Sequence, residues 1–152
     1  MPFDAFPKIE GIEGESVDKD HKGEIEILSF HWGITNPERG RTRIEDFQVV
    51  KSVDLASPAL FDTVCAGDRI KEAQFTLRKA GGGGEGDYFK ITMEDVLVTS
   101  VTHAGNAGGD AIPMEQVSLD FDKVEVEYRT QDSQGKPGPW VKSSCSPRPR
   151  RP

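Results

Sequence analysis

Cysteine is scarce in this chain of 152 residues, which contains only Cys65 and Cys145. The two cysteines form no Cys-x-x-Cys pair, so the sequence indicates neither a disulfide framework nor a cysteine-based zinc site. Long apolar runs are also missing, because no segment approaches the ~20 residues that a membrane-spanning helix needs. The first residues lack the basic and apolar regions of a secretory signal, so we expect a protein that folds in the cytoplasm.

Basic residues are too few for a typical nucleic-acid-binding protein, since 19 Lys and Arg face 26 Asp and Glu and the net charge is -7. All the charged residues from Lys136 onward are basic, so an acidic body is followed by a basic tail. Hydrophobic residues make up 35% of the chain, which is enough for one core. We therefore predict one domain over residues 1–132 and a flexible Pro- and Arg-rich tail over residues 133–152.

Apolar and polar residues alternate with the period of a β-strand along most of the chain. In the segment 24–34, the apolar residues stand at positions 25 and 27 and then at 28, 30, 32 and 34. The same one-residue slip separates positions 117, 119 and 121 from positions 124, 126 and 128. Each slip predicts a long strand that turns its buried side over, as at a bulge.

Two strands with apolar residues on both faces favour a strongly coiled barrel whose outside also meets a neighbouring molecule. The fold class predicted is mainly β, a barrel of antiparallel strands with one short flanking α-helix. The residues expected to divide between core packing and a subunit interface are Ile25, Ile27, Phe30, Trp32, Val124 and Val126.

Further strands are predicted over 46–55, 69–79 and 88–102, with a weaker one near residues 5–12. A helix is predicted between them, with Ser57 as N-cap, Pro58 in the first turn and Gly67 as the left-handed stop. Its apolar stripe consists of Leu60, Phe61, Val64 and Cys65. Loops are predicted over 36–43, 81–87 and 104–113, which are rich in Gly or other turn formers.

Catalytic and cofactor-binding patterns are weak. The glycine run 81–86 lacks the Lys of a phosphate-binding loop and precedes a strand rather than a helix. The three histidines show no metal-ligand spacing, and the acidic residues near the C-terminus alternate as a solvated face. We therefore expect no enzyme activity, no cofactor and no metal. His31 points away from Phe30 and Trp32, so it is either an exposed polar residue or part of a shared surface or lumen together with Ser29.

The order and spacing of several motifs resemble the haemolysin-coregulated protein (Hcp) family of bacterial type VI secretion systems. The resemblance begins at Gly14-Glu15-Ser16 and at the strand containing Ser29 and Trp32-Gly33. It continues through Ser57-Pro58 and Arg78-Lys79-Ala80-Gly81, and it closes on the alternating apolar residues between Val117 and Tyr128. It spans roughly residues 6–130.

This resemblance implies a barrel that assembles into a homohexameric ring, and rings that stack into the inner tube of a contractile injection machine. It implies a structural protein that is cytoplasmic before firing and is secreted without a signal peptide when the sheath contracts. The implied partners are further copies of the chain, a trimeric spike, the sheath and small effector proteins carried in the lumen. On this basis Ser29 and His31 are candidates to face cargo. The loop with Arg39, Arg41 and Arg43 is a candidate to contact the next ring.

Two alternatives remain open from the residues alone. A monomeric β-barrel could bind a small ligand in an apolar interior. A small hydrolase could be built from His31 or His103 with nearby acidic residues. Either alternative predicts a monomer, whereas a tube subunit predicts a large ring.

Overall fold

The computed structural model describes residues 3–18, 21–38, 41–79, 86–108, 112–134 and 136–146. Within these ranges the chain forms ten strands and one helix. They are β1 (Phe3–Ile9), β2 (Ser29–His31), β3 (Ile34–Glu38), β4 (Arg41–Ile44), β5 (Phe47–Ser52), α1 (Ser57–Ala66), β6 (Arg69–Lys79), β7 (Asp87–Ala104), β8 (Met114–Asp120), β9 (Lys123–Tyr128) and β10 (Val141–Cys145). The mainly β class with one flanking helix is confirmed.

Eight strands form one antiparallel sheet in the order β1-β6-β7-β8-β5-β2, with β9 on β7 and β10 on β9. Strand β7 is 18 residues long, and it pairs with β9 through its first half and with β8 through its second half. The sheet curls until its two ends meet at the segment 24–28. There the backbone N–H of Ile25 donates to the carbonyl of Pro7 at 2.9 Å, and that of Leu28 donates to the carbonyl of Val50 at 2.8 Å. The barrel is closed by these bonds.

Aromatic rings fill the barrel. Phe47 and Phe75 are both fully buried, with ring centroids 4.1 Å apart. Phe30 and Trp32 stack on Phe47 at 5.7 and 6.1 Å. Alternate residues of each strand point inward, as the alternation in the sequence predicts. The strands predicted over 46–55, 69–79 and 88–102 are confirmed as β5, β6 and β7. The weak first strand is confirmed as β1.

The prediction that the two slips turn the buried side over is wrong. Ile25 and Ile27 pack on the same core as Phe30 and Trp32, while Leu28 and Ser29 both point outward. The backbone before β2 is irregular, so the shift in the apolar–polar alternation occurs there without creating a second buried face. At the second slip, a turn at Phe121 and Asp122 separates two strands, and Val124 and Val126 pack on the same core from β9.

The predicted helix is confirmed, but two of its details are wrong. Ala56, not Ser57, is the N-cap, because the Ser57 hydroxyl is engaged in a buried polar cluster. Phe61 is 55% exposed and Cys65 is exposed, so the predicted apolar stripe is wrong for these two residues. The helix packs on the barrel through a narrower stripe that includes the buried Leu60, and it ends at Gly67 with a φ of 69°.

Two segments predicted to be irregular form strands. Part of the predicted loop 36–43 belongs to a hairpin in which β3 pairs with β4 outside the main sheet. Residues 141–145 of the predicted flexible tail form β10, so the prediction is wrong for them. Trp140 fixes this end of the chain, because its ring lies 4.6 Å from the Lys90 ammonium and 4.5 Å from the Arg129 guanidinium. Residues 81–85 of the predicted glycine loop lie outside the described residues.

Candidate interaction surfaces

A buried polar cluster joins four elements, β5, α1, β7 and β8. The Lys51 ammonium, 1% exposed, donates to Glu115 Oε1 at 2.6 Å and to Asp54 Oδ1 at 2.7 Å. Ser57 Oγ donates to the same Glu115 oxygen at 3.0 Å, and His103 Nε2 lies 2.6 Å from the other. Burial alone would raise the pKa of Glu115, but the hydrogen bonds from Lys51 and His103 lower it below its ordinary value. The cluster therefore holds a charged pair that ties α1 to β5 and β8.

A second polar cluster fastens the segment that follows β1. The His21 ring stacks on Phe6 at 4.4 Å and contacts the carboxylates of Glu24 and Asp87 through its two nitrogens. The Arg78 guanidinium lies over the same Phe6 ring at 4.8 Å and donates to Asp18. Burial raises the pKa of Glu24 in spite of the nearby His21. These contacts hold the segment against the barrel.

The cluster of Lys51 and Glu115 presents no open reaction site. Lys51 and Glu115 are almost completely buried, and Ser57 Oγ is directed at them. His103 is half-exposed, and its Nε2 is bound to Glu115. Among the described residues, no group of three or more His, Cys, Asp or Glu is arranged to hold a metal ion. The one helix in the described part of the chain is too short and too polar to cross a membrane.

The interior of the barrel is filled. The free volume among Ile25, Phe75 and Leu119 at its centre is about 10 Å³. Small-molecule pockets are usually about 300–1,000 Å³. This packing weighs against the alternative of a monomeric barrel that binds a small ligand inside.

The outside of the barrel carries a concave surface, which we call the acidic trough. It consists of two adjoining depressions of about 350 Å³ each that share Glu26 and Ile27. The first is lined by Asp4, Ala5, Phe6, Val17, Asp18 and Arg78, and the second by Glu15, Leu28, Ser52, Val53, Asp54 and Ile112. The trough thus contains five carboxylates and one guanidinium.

Large aliphatic side chains stand exposed in and beside the trough. Leu28 and Ile112 are each 62% exposed, Val17 is 90% exposed, and Leu55 is 58% exposed. Leu55 lies at the trough because its backbone N–H donates to Glu15 Oε2 at 2.7 Å. Several exposed aliphatic residues in one concave surface are typical of a site that contacts another molecule.

The hairpin of β3 and β4, which we call the arm, is a second exposed surface. Ile34 pairs with Ile44 at its base, and Thr35 pairs with Arg43. Arg43 and residues 35–37 are exposed, whereas Ile44 packs against the core. Strand β10 is a third surface, since it lies at an edge of the main sheet and its Val141 is 68% exposed beside Tyr128.

The predicted site residues do not form one site. Ile25, Ile27, Phe30, Trp32, Val124 and Val126 pack on the core of their own chain, and four of them, Ile27, Phe30, Trp32 and Val126, are only partly buried. Ser29 and His31 are exposed on β2. Arg43 is exposed on the arm, whereas Arg39 and the Arg41 side chain lie outside the described residues.

Sequence reasoning placed Leu28 in the apolar set of the segment 24–34, at the point where the alternation breaks, but it missed the other aliphatic residues of the trough. Leu55 and Ile112 are isolated in turn-rich segments, where a lone apolar residue has no periodicity to mark it. The polar clusters were missed because Lys51 and Glu115 are 64 positions apart in the chain.

Residues 6–128 match the sequence profile of the family described as "Type VI secretion system effector, Hcp". A similar curated protein is protein hcp1 of Pseudomonas aeruginosa. It is 36% identical over 144 residues, which cover 89% of this chain and 88% of that protein.

Solved structures agree in fold over nearly the whole chain. The crystal structure of Hcp1 from Salmonella typhimurium superposes with a TM-score of 0.80 at 35% identity, covering 96% of this chain and 95% of that one. A type VI secretion system effector from Yersinia pestis superposes with a TM-score of 0.80 at 34% identity, covering 94% and 99%. The barrel, its flanking helix and the matched motifs therefore place this chain in the Hcp family of type VI secretion system proteins.

Proposed function

We propose that this chain is a structural subunit of the type VI secretion inner tube. It forms homohexameric rings that stack, it leaves the cell when the sheath contracts, and it carries small effector proteins in the lumen of the ring. The observation that carries the proposal is the match to the Hcp family over residues 6–128, which includes most of the barrel. The tube itself is non-enzymatic and needs no cofactor.

The surface of the barrel supports assembly. Exposed edge strands readily pair with another chain, and a head-to-tail contact closes into a ring when each step adds a fixed rotation. Strand β10 offers such an edge, with Val141 and Tyr128 exposed next to each other. We assign the contact within the ring to this edge. The exposed parts of Ile27, Phe30, Trp32 and Val126 are a further region that a neighbour can cover.

Ring formation is tested by negative-stain microscopy of the purified full-length protein. The proposal predicts annular particles with a central hole and, at high concentration, short stacks of them. Trp32→Ala is expected to give unfolded or monomeric protein, because the indole supports Phe47 in the core and reaches the surface. Uniformly small particles of the wild-type protein would overturn the proposal.

Cargo binding is assigned to the exposed polar face of β2. Ser29 and His31 lie there, and a polar wall would hold an effector weakly enough to release it. His31→Glu should change the amount of co-purified cargo without changing the size of the ring. Lys71→Glu, at an exposed position of β6 outside both β2 and the β10 edge, is the matched control. Equal cargo in His31→Glu and the wild type would contradict this assignment.

The remaining partners follow from the same proposal. A tube needs a spike at its tip and a sheath around it, and the chain is cytoplasmic until the sheath contracts. We also propose that residues 1–132 form the barrel domain and that the segment from residue 133 extends it with β10, the edge strand to which the contact within the ring is assigned. Sedimentation of a chain that ends at residue 132 tests this division, because that chain should be folded but monomeric, and rings from it would contradict the assignment of β10.

A further inference from the structure

We propose that a depression on the outer face of β1, β6 and β7 binds a phosphate group, either as the free ion or as the head of a phosphate ester. The depression has a volume of about 270 Å³ and is lined by three lysines, Lys8, Lys22 and Lys90, together with the buried Thr76. We call it the lysine depression. All of its lining residues belong to one copy of the chain, so the site does not require the proposed ring.

The floor of the lysine depression contains a hydroxyl that lacks a hydrogen-bond partner. Thr76 lies on β6, paired with Phe6 of β1 and Lys90 of β7, and it points away from the core residue Phe75. Thr76 lines the depression and is only 3% exposed, but its hydroxyl donates to no other residue in the part of the chain that the structure describes. A buried hydroxyl without a partner is unfavourable. Thr76 therefore points to a ligand with acceptor oxygens.

Positive charge surrounds this hydroxyl. Lys8 belongs to β1, Lys22 to the segment that follows β1, and Lys90 to β7. None of the three ammoniums forms an ion pair with another described residue, and that of Lys90 lies 4.6 Å from the ring of Trp140. The chain as a whole carries a net charge of -7, so this concavity is unlike its average surface. A cleft lined by one sign of charge attracts ions of the opposite sign, and an anion is the ligand that the lysines favour.

The two carboxylates of the lysine depression cannot balance all three ammoniums. Glu24 and Asp87 are both turned to the His21 ring, one at each ring nitrogen. His21 is itself held in place by stacking on Phe6. The carboxylates are thus engaged by the imidazole, and the ammoniums remain available for a ligand.

The kind of basic residue favours a phosphate over a carboxylate. The described residues that line the depression include no arginine. The planar fork of an arginine matches a carboxylate through two parallel hydrogen bonds, whereas a lysine ammonium acts as a point charge and is a common phosphate ligand. A phosphate group also carries more than one negative charge near neutral pH. Several lysines around one hydroxyl donor therefore fit a phosphate group best.

Thermal unfolding of the full-length protein, followed by tryptophan fluorescence, tests the site. Sodium phosphate is varied up to about 30 mM while NaCl keeps the ionic strength constant, because salt screens exposed charges. The site variants are Lys8→Gln, Lys22→Gln and Thr76→Val. Lys71→Gln is the matched control, since Lys71 is exposed on β6 and does not line the depression. Phosphate also stabilises proteins generally through exclusion from their surface, and this effect is the same in every variant.

The wild type and Lys71→Gln should melt about 3–5 °C higher in about 30 mM phosphate, as expected for a Kd of about 3 mM. Each site variant should bind about fivefold more weakly and should therefore lose more than about half of this shift. Methyl phosphate distinguishes the two sources of the group: a shift equal to that of inorganic phosphate assigns the site to a phosphate ester, and a smaller shift assigns it to the free ion. Acetate at the same ionic strength should give less than about a third of the phosphate shift, because it carries a single charge.

Three results would overturn the inference. They are a wild-type melting temperature that does not rise with phosphate, a full shift in any of the three site variants, and an acetate shift equal to that of phosphate. These results would leave the proposed function untouched, since the melting temperature reports on the site whether or not the chain forms rings.

Discussion

Large apolar side chains are buried in the interior of the barrel but exposed in its outer trough. Phe47 and Phe75 are fully buried, whereas Leu28 and Ile112 are 62% exposed. Buried Lys51 and Glu115 pair with each other, while the exposed Glu26 faces solvent in the trough. The comparison teaches that the barrel completes its own core and still leaves large apolar side chains exposed on its outside, a feature typical of interaction surfaces.

The largest effect on stability should come from the centre of the core. Phe47→Ala is expected to lower the free energy of unfolding by about 3–5 kcal/mol, because it removes the ring on which Phe30, Trp32 and Phe75 pack. Urea denaturation followed by tryptophan fluorescence measures the loss. Phe61→Ala, at a position 55% exposed on α1, is the control and should change stability by less than about 0.5 kcal/mol. Equal losses of unfolding free energy in Phe47→Ala and Phe61→Ala would contradict the conclusion that Phe47 contributes more to stability than an exposed residue does.

The buried ion pair should give the next largest effect. Lys51→Met leaves the Glu115 carboxylate buried without its ammonium partner, so we expect a loss of about 3 kcal/mol. Lys51→Met combined with Glu115→Gln should recover part of this loss, because the amide carries no charge to desolvate. The same denaturation experiment compares them. A double variant that is less stable than Lys51→Met would show that the carboxylate is not the source of the cost.

The free energy of unfolding should fall at acid pH as Glu115 becomes protonated. Hydrogen bonds from Lys51 and His103 outweigh burial and lower the pKa of Glu115 in the folded protein below its value in the unfolded chain. Its contribution to stability is therefore present above the unfolded pKa, ordinarily 4.5, and is lost as the pH falls through the folded pKa. The free energy of unfolding should fall less steeply below about pH 5 in Glu115→Gln than in the wild type. Parallel pH profiles would contradict this.

The smallest change in the free energy of unfolding is expected at the edge strand β10. Val141→Asp should change the free energy of unfolding by less than about 0.5 kcal/mol, because Val141 is 68% exposed. The same change should prevent ring assembly, since it places a charge on the edge assigned to the subunit contact. Ser100→Asp, at an exposed position of β7 away from the β10 edge, is the control for charge alone. If Val141→Asp forms normal rings in sedimentation, the β10 edge does not form the subunit contact.

Much of the barrel could be predicted from the sequence. Alternation located β5, β6 and β7, and for β6 both ends were predicted correctly, because its apolar residues face one filled interior. The helix was located by Pro58 and Gly67, whose backbone preferences act locally. Local signals of this kind need no knowledge of what lies across the core.

The remaining features depend on contacts between distant parts of the chain. The slip after Ile27 was visible, but alternation alone could not show that Leu28 and Ser29 would both point outward. Strand β10 was hidden in a Pro- and Gly-rich segment, where pairing with β9 and the contacts of Trp140 override composition. The trough could not be predicted, since Glu15, Leu28 and Ile112 come together only when the barrel closes.

The mass of the wild-type protein in solution decides whether the exposed surface serves assembly. Sedimentation equilibrium of the full-length chain should give about six times the mass of one chain, with heavier species as the concentration rises. A single species with the mass of one chain at every concentration would mean that the barrel is complete alone, and a structural subunit of a ring would then be the wrong description.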